Sequence, residues 1–511
     1  MKKFYRFLKC AIPVVFMVAF VANVNAQREV DVPAGSSLSD FISGDTTDTG
    51  ERIDDNTIYK LKSLANGGMY TVGLSLNLDV PLQLIGEDPD DHSIILPVPM
   101  ESGSYPKMIS TKGDIYLENV YISNQGKVGT HGEWGCIRAN GKGTSVHYKN
   151  CLIEWDLGAM IQVRADSVSI LIEDCVGSKF GGYKSHGGNG RVVSIRAQYR
   201  ILKCEVKNNT FYHMTDRVIR NMDGATFDTL IFDHNTVAHV KGYNGSFQMG
   251  KVNYLQITNN IIQNPQYMGN HTYTVENTHP DADNHYIFTL DEISENTEIH
   301  IHHNNIFSDQ ELLDLFATID TTSETTILSP LIAAEMGDAA ADAYFVEPLE
   351  YTALPDMPME YIEAIYADPK AASFPDNFLD PYGIFFIDAA YSAESVSATG
   401  DVDGKPLGNQ NYWDLVGVKD HRIADFNALQ VYPNPVVDVV NFDILLTQTS
   451  DITINIFDIT GKTVVSREYS SRSQGAHTLT WDVSGANMST GIYFFNLQTN
   501  QGSATRKILV K

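Results

Sequence analysis

The chain has 511 residues, of which 36 are basic and 63 acidic, so its formal net charge is −27. A protein this acidic is a poor generic ligand for nucleic acid or for an anionic membrane surface, which excludes both as its main partners. Its hydrophobic fraction of 43% is enough to bury a sizeable core. The 38 glycines, together with many Asn and Thr residues, favour an all-β protein that is rich in turns.

The first 26 residues predict a secretory signal peptide. Four basic residues precede the apolar stretch Ala11–Val24, and Val24-Asn25-Ala26 is a small-residue cleavage site. Its removal takes four positive charges from a total of −27, so the mature chain carries −31. No later stretch is long and apolar enough to span a bilayer, and we expect no transmembrane segment in the mature chain.

Four cysteines remain after the signal peptide: Cys136, Cys151, Cys175 and Cys204. An even number in an exported protein permits disulfides. Cys151, Cys175 and Cys204 also fall at similar places in a repeat, which fits stacked, buried thiols equally well. The sequence leaves both interpretations open.

Short alternating strands that end in Asn or Asp recur along the first 307 residues. Asn209, Asn235 and Asn260 are separated by 26 and 25 residues. One coil of a parallel β-helix uses about 20–30 residues as short strands joined by bends. Asn tolerates the left-handed conformation of such bends and can bond to the next Asn in a ladder. The repeat therefore predicts a parallel β-helix whose Asn column is structural.

A second repeated strand carries Arg138, Arg164, Arg196 and Arg220, at spacings of 26, 32 and 24 residues. The apolar residue before each Arg should point inward, so we expect the four guanidiniums to point outward in one row. Neighbouring coils stack about 4.8 Å apart, so such a row would repel itself unless anions lay between its members. An anionic polysaccharide would satisfy it, since Arg forms bidentate bonds to carboxylate and sulfate. The alternative is that nearby carboxylates neutralise the row, for example Glu154, Asp156 or Glu173.

The Asn-ended repeats, with Leu84-Ile85-Gly86 leading in, resemble the pectate-lyase-type right-handed β-helix over about Asn56–Phe307. β-Helix domains of Bacteroidetes surface proteins are also similar. The resemblance implies a polysaccharide lyase, in which Lys and Arg serve as base and acid, sometimes with calcium. The residues that fit those roles are Arg220 with Lys251, or Arg217 with Lys241. A second polar column, which lies four residues after each corner Asn, adds His213 and His239 as candidate substrate-binding residues beside Glu154 and Asn264.

Residues 308–403 are strongly acidic, with Lys370 as the single basic residue. We interpret residues 308–427 as a cap or lateral elaboration of the β-helix; a loosely packed, solvated segment is the alternative. The excess of carboxylates makes calcium a possible cofactor, although no EF-hand-type spacing is present.

The C-terminal part predicts a small β-sandwich of about seven short strands. Its motifs are Leu429–Pro435, Asp458-Ile459-Thr460-Gly461-Lys462, Gly491–Leu497 and Lys507–Lys511. Together they resemble the type A C-terminal sorting domain of the type IX secretion system, over residues 428–511. The resemblance implies export across the outer membrane of a Bacteroidetes-group bacterium, with the secretion machinery as a partner, and an extracellular or surface-attached location.

The predicted architecture is all-β: a signal peptide at 1–26, a right-handed parallel β-helix with an N-terminal cap at 27–307, an acidic cap and linker at 308–427, and the sorting domain at 428–511. Two functions remain open. One is a secreted lyase that acts on an anionic polysaccharide, and the other is a non-catalytic glycan-binding or adhesive protein. The fold is compatible with both, because function depends on the site.

Overall fold

The computed structural model describes residues 27–510 except 101–104, 126–135, 182–188, 222, 243–244, 268–285, 320–325, 368–383, 385–386, 414–429, 433–435, 437, 447–448, 459–461, 474, 484–487, 490 and 500–501. The predicted signal peptide therefore lies outside the described residues.

Short strands follow one another around a coil throughout the N-terminal two thirds of the chain. In chain order they are β1 (Glu29–Val32), β2 (Ile58–Leu61), β3 (Met69–Val72), β4 (Leu76–Leu78), β5 (Leu82–Gly86), β6 (Ser93–Pro97), β7 (Ile109–Thr111), β8 (Ile115–Glu118), β9 (Val120–Ser123), β10 (Ile137–Ala139), β11 (Ser145–Lys149), β12 (Leu152–Glu154), β13 (Ile161–Val163), β14 (Val168–Glu173) and β15 (Val176–Phe180). Helix α1 (Leu38–Gly44) lies between β1 and β2, and the Ser37 hydroxyl caps it by accepting from the Asp40 amide.

The coils continue in the same way beyond residue 190. The strands are β16 (Arg191–Ile195), β17 (Arg200–Lys207), β18 (Thr210–Met214), β19 (Arg217–Asn221), β20 (Thr226–Asp233), β21 (Thr236–Val240), β22 (Phe247–Gln248), β23 (Lys251–Thr258), β24 (Ile261–Gln263), β25 (Tyr286–Thr289), β26 (Glu298–His302), β27 (Asn304–Phe307), β28 (Thr326–Leu328) and β29 (Tyr344–Phe345). Strands β28 and β29 pair in parallel with β25 and β27, so the coil extends into the acidic region.

These strands form three long parallel sheets, which define a right-handed parallel β-helix, as predicted. The first sheet stacks β1, β2, β5, β8, β11, β14, β17, β20, β23 and β26. The second sheet stacks β3, β6, β9, β12, β15, β18, β21, β24, β27 and β29. The third sheet stacks β4, β7, β10, β13, β16, β19, β22, β25 and β28. Each coil visits the first, second and third sheets in that order.

Inward-facing apolar residues stack on their equivalents in neighbouring coils and form one continuous core. One such stack in the first sheet is Leu84, Leu117, Tyr148, Ile172, Val206, Phe232, Ile257 and Ile301. Every member is at most 1% exposed. Burial of this apolar area supplies most of the driving force for the fold.

An Asn ladder closes the corner between the first and second sheets. The backbone amide of Asn209 donates to Asn235 Oδ1 at 3.0 Å, and the amide of Asn235 donates to Asn260 Oδ1 at 2.8 Å. The Asn260 amide continues the ladder to Asn304 Oδ1 at 3.1 Å. This geometry confirms the predicted ladder, whereas the left-handed position of the corner belongs to the residue before each ladder Asn, namely Asn208, His234 and Asn259.

The four cysteines are free, buried thiols. Cys151 and Cys175 begin the ladder, because the Cys151 amide donates to Cys175 Sγ at 3.4 Å and the Cys175 amide to Asn209 Oδ1 at 2.8 Å. Cys204 does not share their column, since it stacks in the first sheet between Ile170 and Leu230. The prediction of equivalent places was therefore right for two of the three thiols.

The described part of the acidic region after Phe307 includes the α-helices α2 (Gln310–Ile319), α3 (Pro330–Met336) and α4 (Met359–Ala367). Helices α2 and α4 pack with Trp155 and Tyr267 of the β-helix in one apolar cluster. Residues 387–413, which we call the lateral segment, run back along the corner of the β-helix. The Gly408 amide donates to Asn259 O at 2.8 Å, and the Asn411 side chain donates to Asp174 Oδ1 at 3.0 Å.

Two antiparallel sheets form the C-terminal β-sandwich, as predicted. Their strands are β30 (Gln430–Tyr432), β31 (Val439–Leu446), β32 (Ser450–Asp458), β33 (Thr463–Arg472), β34 (Gly475–Asp482), β35 (Gly491–Thr499) and β36 (Gly502–Val510). Phe442 of one sheet and Phe495 of the other stack with ring centroids 3.7 Å apart. The sandwich thus has an apolar core of its own.

Candidate functional site

Charged side chains on the outside of the first sheet are paired with one another. Lys149 and Glu118 form an ion pair of 2.9 Å between neighbouring strands. Glu205 lies 2.6 Å from both Lys203 and Lys207. Opposite charges alternate across this sheet, so its outer surface has little electrostatic attraction left for a charged polymer.

The outside of the second sheet is covered by other parts of the same chain. The lateral segment packs Leu407 against Ile261 and Phe307 of this sheet. Leu354 belongs to an apolar cluster with Leu152 and Tyr212. This cover leaves the third sheet as the candidate binding surface.

The outward column of the third sheet contains no carboxylate among its described members. Register pairing places these residues above one another in the order Asn77, Ser110, Arg138, Gln162, Ser194, Arg220, Gln248 and Thr289. Each of these side chains can donate a hydrogen bond. A column of donors and cations, free of carboxylates, suits an anionic ligand.

The four predicted arginines occupy two columns of this sheet instead of one. Arg138 pairs in register with Gln162, and Arg220 pairs with Ser194. Arg164 and Arg196 follow the register partners Val163 and Ile195, so they lie two positions further along the strands. The prediction of one row was wrong in register, although all four arginines lie on strands of the same sheet or directly after them.

A group of exposed and half-buried cations lies on the lower coils of the third sheet, and we call it the cationic strip: Lys107, Arg138, Arg164 and Arg196. Arg164 and Arg196 are exposed. Burial, together with the neighbouring charges of Arg138 and Arg164, lowers the pKa of Lys107, and burial with the charge of Arg164 lowers that of Arg138. No ion pair with a described carboxylate is formed by any of these four residues, so they repel one another.

Arg191 and Arg217 mark a second, buried group above the strip, where they occupy equivalent register positions on β16 and β19. Asp216 accepts from both: Arg217 Nε lies 2.9 Å from Asp216 Oδ1, and Arg191 Nε bonds to Oδ2. Burial alone would raise the pKa of Asp216, but the charges of Arg217, Arg191 and Arg220 hold it below its usual value. We call these four residues the arginine cluster.

Lys241 lies beside this cluster. It follows β21, where its backbone amide donates to Met214 O at 2.9 Å, and its side chain is 1% exposed. Burial lowers the pKa of Lys241 to about 8, and the nearby charge of Asp216 opposes that shift. An amine with a pKa close to neutrality can give up and take a proton under physiological conditions.

Arg220 and Lys251, the other predicted catalytic pair, lie on different sheets. Arg220 stacks on Gln248 in the third sheet, whereas Lys251 begins β23 of the first sheet and pairs in register with Thr226. Lys251 Nζ also forms an ion pair of 2.7 Å with Glu292. Arg217 and Lys241 also come from different sheets, but the same carboxylate, Asp216, binds Arg217 and acts on the charge of Lys241, so these two residues are neighbours of one buried group.

His213 and His239 occupy one left-handed position on successive coils of the second sheet, with φ of 56° and 58°. His213 Nε2 lies 3.1 Å from Pro355 O, and both rings are at most 1% exposed. Burial lowers the pKa of both imidazoles, that of His239 to about 4. Both rings are closed to a large ligand, so their placement does not favour the predicted role in substrate binding.

Lys179 and Trp155 are the members of this histidine column in the two preceding coils. Glu154 was predicted there but lies one position earlier, in register with Ser178, where it pairs with Lys179 at 2.9 Å. The prediction counted four residues from Asn150. In that coil the ladder position is held by Cys151, one residue later, so the predicted residue is one position too early.

Arg191 and Lys107 were not predicted from the sequence. Alignment of Arg191-Val192-Val193-Ser194-Ile195 with Arg217-Val218-Ile219-Arg220-Asn221 would have found Arg191 and the true register of Arg220. Within the described part of the chain, no group of three or more His, Cys, Asp or Glu side chains is placed to hold a metal ion. Nor is any helix there long and apolar enough to cross a membrane.

The fold defines the class of the protein as a parallel β-helix joined to a separate antiparallel sandwich. Comparison with protein-family models adds that residues 430–511 match the secretion system C-terminal sorting domain. The sandwich is therefore a sorting domain of the type IX secretion system. Such domains mark proteins that cross the outer membrane and become extracellular or attached to the cell surface.

No curated protein matches the chain. Among solved structures, one match is the dimeric latent PorU from Porphyromonas gingivalis, with 25% identity and a TM-score of 0.14. The match covers 16% of this chain and 9% of PorU, so the chain spans only a small part of that protein's length. A match this short carries no information about the activity of the β-helix.

Proposed function

We propose that this secreted β-helix acts on an anionic polysaccharide, which binds on the third sheet. The observation that supports the proposal is the contrast between the sheets. Charges on the first sheet are paired, the second sheet is covered, and the third carries the cationic strip without a described carboxylate partner. Arginine recognises carboxylate and sulfate groups through paired hydrogen bonds, and a polymer offers several such groups in succession.

A lyase reaction by β-elimination is the chemistry that the buried residues favour. A base takes the proton from C5 of a uronate, the electron pair forms the C4–C5 double bond, and the C4–O bond breaks as its oxygen takes a proton from an acid. Lys241 is suited to the base, since its pKa is lowered to about 8. Arg217 and Arg220 could neutralise the uronate carboxylate, which makes the C5 proton more acidic.

A non-catalytic glycan-binding or adhesive role is the second candidate. Lys241 and Arg217 are each 1% exposed, whereas Arg164 and Arg196 are exposed. A polymer that touches only the exposed strip would bind without meeting the proposed base. The two roles therefore differ in whether the ligand reaches the arginine cluster.

The first experiment separates these roles. The secreted chain is incubated with pectate, alginate and chondroitin sulfate, with and without calcium, and the ultraviolet absorbance of unsaturated uronate ends is followed. Growth of absorbance supports the lyase, and binding by calorimetry without product supports the adhesive role. Neither product nor binding with any of these polymers would contradict the whole proposal.

Variants then locate the surface. Arg164→Gln with Arg196→Gln should weaken binding of whichever polymer is active, because two exposed charges are lost. Arg200→Gln is the matched control, since Arg200 is exposed but belongs to the first sheet and is paired with Asp228 at 2.7 Å. Equal losses in the double variant and in the control would place the ligand elsewhere.

A further inference from the structure

The lateral segment touches the β-helix corner through a series of mostly neutral contacts. The Asn409 amide donates to Thr236 Oγ1 at 3.0 Å, and its side chain donates to Thr210 Oγ1 at 3.1 Å. The Gln410 amide donates to Asn208 Oδ1 at 2.6 Å. These bonds do not titrate in the physiological range, so they hold the segment equally at any moderate pH.

One contact in the series has an ionisable group on each side. His234 occupies the corner after β20, with Nδ1 2.9 Å from Asp233 Oδ2 and Nε2 3.3 Å from Asp401 Oδ2. Asp401 belongs to the lateral segment, and its side chain is 2% exposed, against 17% for His234. The imidazole thus bridges two carboxylates that are distant in sequence, in a place largely shielded from water.

The backbone of the lateral segment aims Asp401 at this histidine. Asp401 Oδ1 accepts from the amides of Asp403 at 2.8 Å and Lys405 at 2.5 Å. This turn fixes the carboxylate and leaves Oδ2 directed at His234. The backbone of His234 has a φ of 53°, which is the left-handed bend position that Asn208 and Asn259 occupy in the coils on either side.

We propose that His234, held between Asp233 and Asp401, is a charged clasp that fastens the lateral segment to the β-helix and releases it as the imidazolium loses its proton. The neutral ring has one N–H and can donate to only one of the two carboxylates. Asp233 also accepts from Thr258 Oγ1 at 2.6 Å and Asn259 Nδ2 at 2.9 Å, and these neutral donors hold it to the β-helix at any moderate pH. Deprotonation of His234 would therefore remove one N–H bond and the positive charge that lies between Asp233 and Asp401, which favours separation of Asp401 from the corner.

The surrounding charges are consistent with a protonated ring in the closed state. Burial by itself lowers the pKa of His234, but Asp233 and Asp401 outweigh it and raise the pKa above the usual 6.5. Other charged groups lie near the clasp. Lys207 pairs in register with Asp233 and is bound to Glu205. The charge of Asp233 also acts on the pKa of His302, and Asp403 pairs with Lys405 in the turn. The contribution of the clasp is complete below about pH 6.5 and is lost as pH rises through the raised pKa.

Amide hydrogen exchange of the full secreted chain, corrected for intrinsic rates, tests the clasp. We expect protection of peptides within 397–411 to fall roughly tenfold as the ring deprotonates, which is the scale of one charged hydrogen bond. His234→Asn keeps a residue that fits the bend but cannot be charged, so its protection should be low and independent of pH. Asp401→Asn keeps the turn and should behave alike, which preserves the test if the first variant does not fold.

His147→Asn is the matched control, because it removes another His–carboxylate pair, with Glu173 at 2.8 Å, outside the lateral segment. This control should keep the pH dependence of the unmodified chain. A protection at 397–411 that does not change with pH in the unmodified chain would overturn the proposal. Full pH dependence in His234→Asn would overturn it as well. The clasp does not depend on the glycan proposal, and neither result bears on the third sheet.

Discussion

Arg217 Nε donates a 2.9 Å hydrogen bond to Asp216 Oδ1, and the same carboxylate accepts from Arg191 on the neighbouring strand. Asp216 is 0% exposed, and the two arginines are 1% and 4% exposed. One buried carboxylate therefore holds two buried guanidiniums that come from successive coils. Loss of the carboxylate would leave buried positive charges in direct repulsion, which is far more costly than loss of an exposed pair.

We predict that Asp216→Asn lowers the free energy of unfolding by about 3–5 kcal/mol, measured by urea denaturation. Asp228→Asn is the control, because its partner Arg200 is 62% exposed. That control should cost less than about 1 kcal/mol, as exposed ion pairs do. Similar losses in both variants would mean that the arginine cluster is not held by Asp216.

Lys241 should make stability depend on pH in the alkaline range. Its folded pKa of about 8 lies below the usual 10.5, so between these values the unfolded chain binds a proton that the folded chain has lost. The stability contributed by Lys241 therefore rises with pH across this window. Thermal unfolding of Lys241→Met should lack that rise, while Lys112→Met, an exposed lysine paired with Asp79, should keep it. An identical slope in Lys241→Met would show that Lys241 titrates normally.

The contrast between Asn235 and Arg220 shows what the sequence could predict. The Asn ladder follows from periodicity alone, because each coil needs the same residue at the same bend, and the structure confirms it. The register of Arg220 does not follow in this way. Coils differ in length, and matching Arg138 to Arg164 or Arg196 to Arg220 shifts the alignment by two positions, whereas the 32-residue spacing from Arg164 to Arg196 is in register. A shift of two positions keeps the side chains on the same side of the sheet. The prediction of the sheet was therefore right, and the prediction of a single row was wrong.

The burial of His213 and His239 could not have been predicted from the repeat. Pro355 lies 142 residues beyond His213 in sequence, and no periodic signal points to that contact. The same holds for Asp216, whose importance comes from the two arginines on adjacent strands. Side chains brought together by separate coils and by a non-repetitive segment need the three-dimensional register.

The two buried histidines should destabilise the protein in acid. The folded pKa of His239 is about 4, below the usual 6.5, so its contribution is complete above 6.5 and is lost as pH falls towards 4. A shift of this size corresponds to at most about 3 kcal/mol. We predict that His213→Asn with His239→Asn flattens the loss of thermal stability in this range, because Asn accepts the left-handed bend, as Asn264 does in the next coil. A profile as steep as that of the unmodified chain would assign the acid sensitivity to other groups.

Removal of one Asn from the ladder should lower the free energy of unfolding, because buried backbone groups lose their hydrogen-bond partners. Asn235 Nδ2 donates to Val206 O at 2.8 Å, and its Oδ1 accepts from the Asn209 amide at 3.0 Å. Asn235→Leu leaves both backbone groups buried without these partners, and we expect it to lower the free energy of unfolding by about 3 kcal/mol or more. Asn253→Leu, on the exposed side of the first sheet, is the control. Equal stability of the two variants would show that the ladder does not stabilise the protein.

The register of the arginines on the third sheet predicts how the effects of their substitution on polyanion binding combine. Arg164 and Arg196 lie on adjacent coils, about 4.8 Å apart, whereas Arg138 and Arg220 share a column three coils apart, or about 14 Å. Effects of Gln substitutions on affinity for a bound polyanion should be non-additive for the adjacent pair, because each charge raises the repulsion on the other. They should be additive for the distant pair, as for sites beyond about 10 Å. Calorimetric double-mutant cycles measure both, and coupling of the distant pair without coupling of the adjacent one would contradict this register.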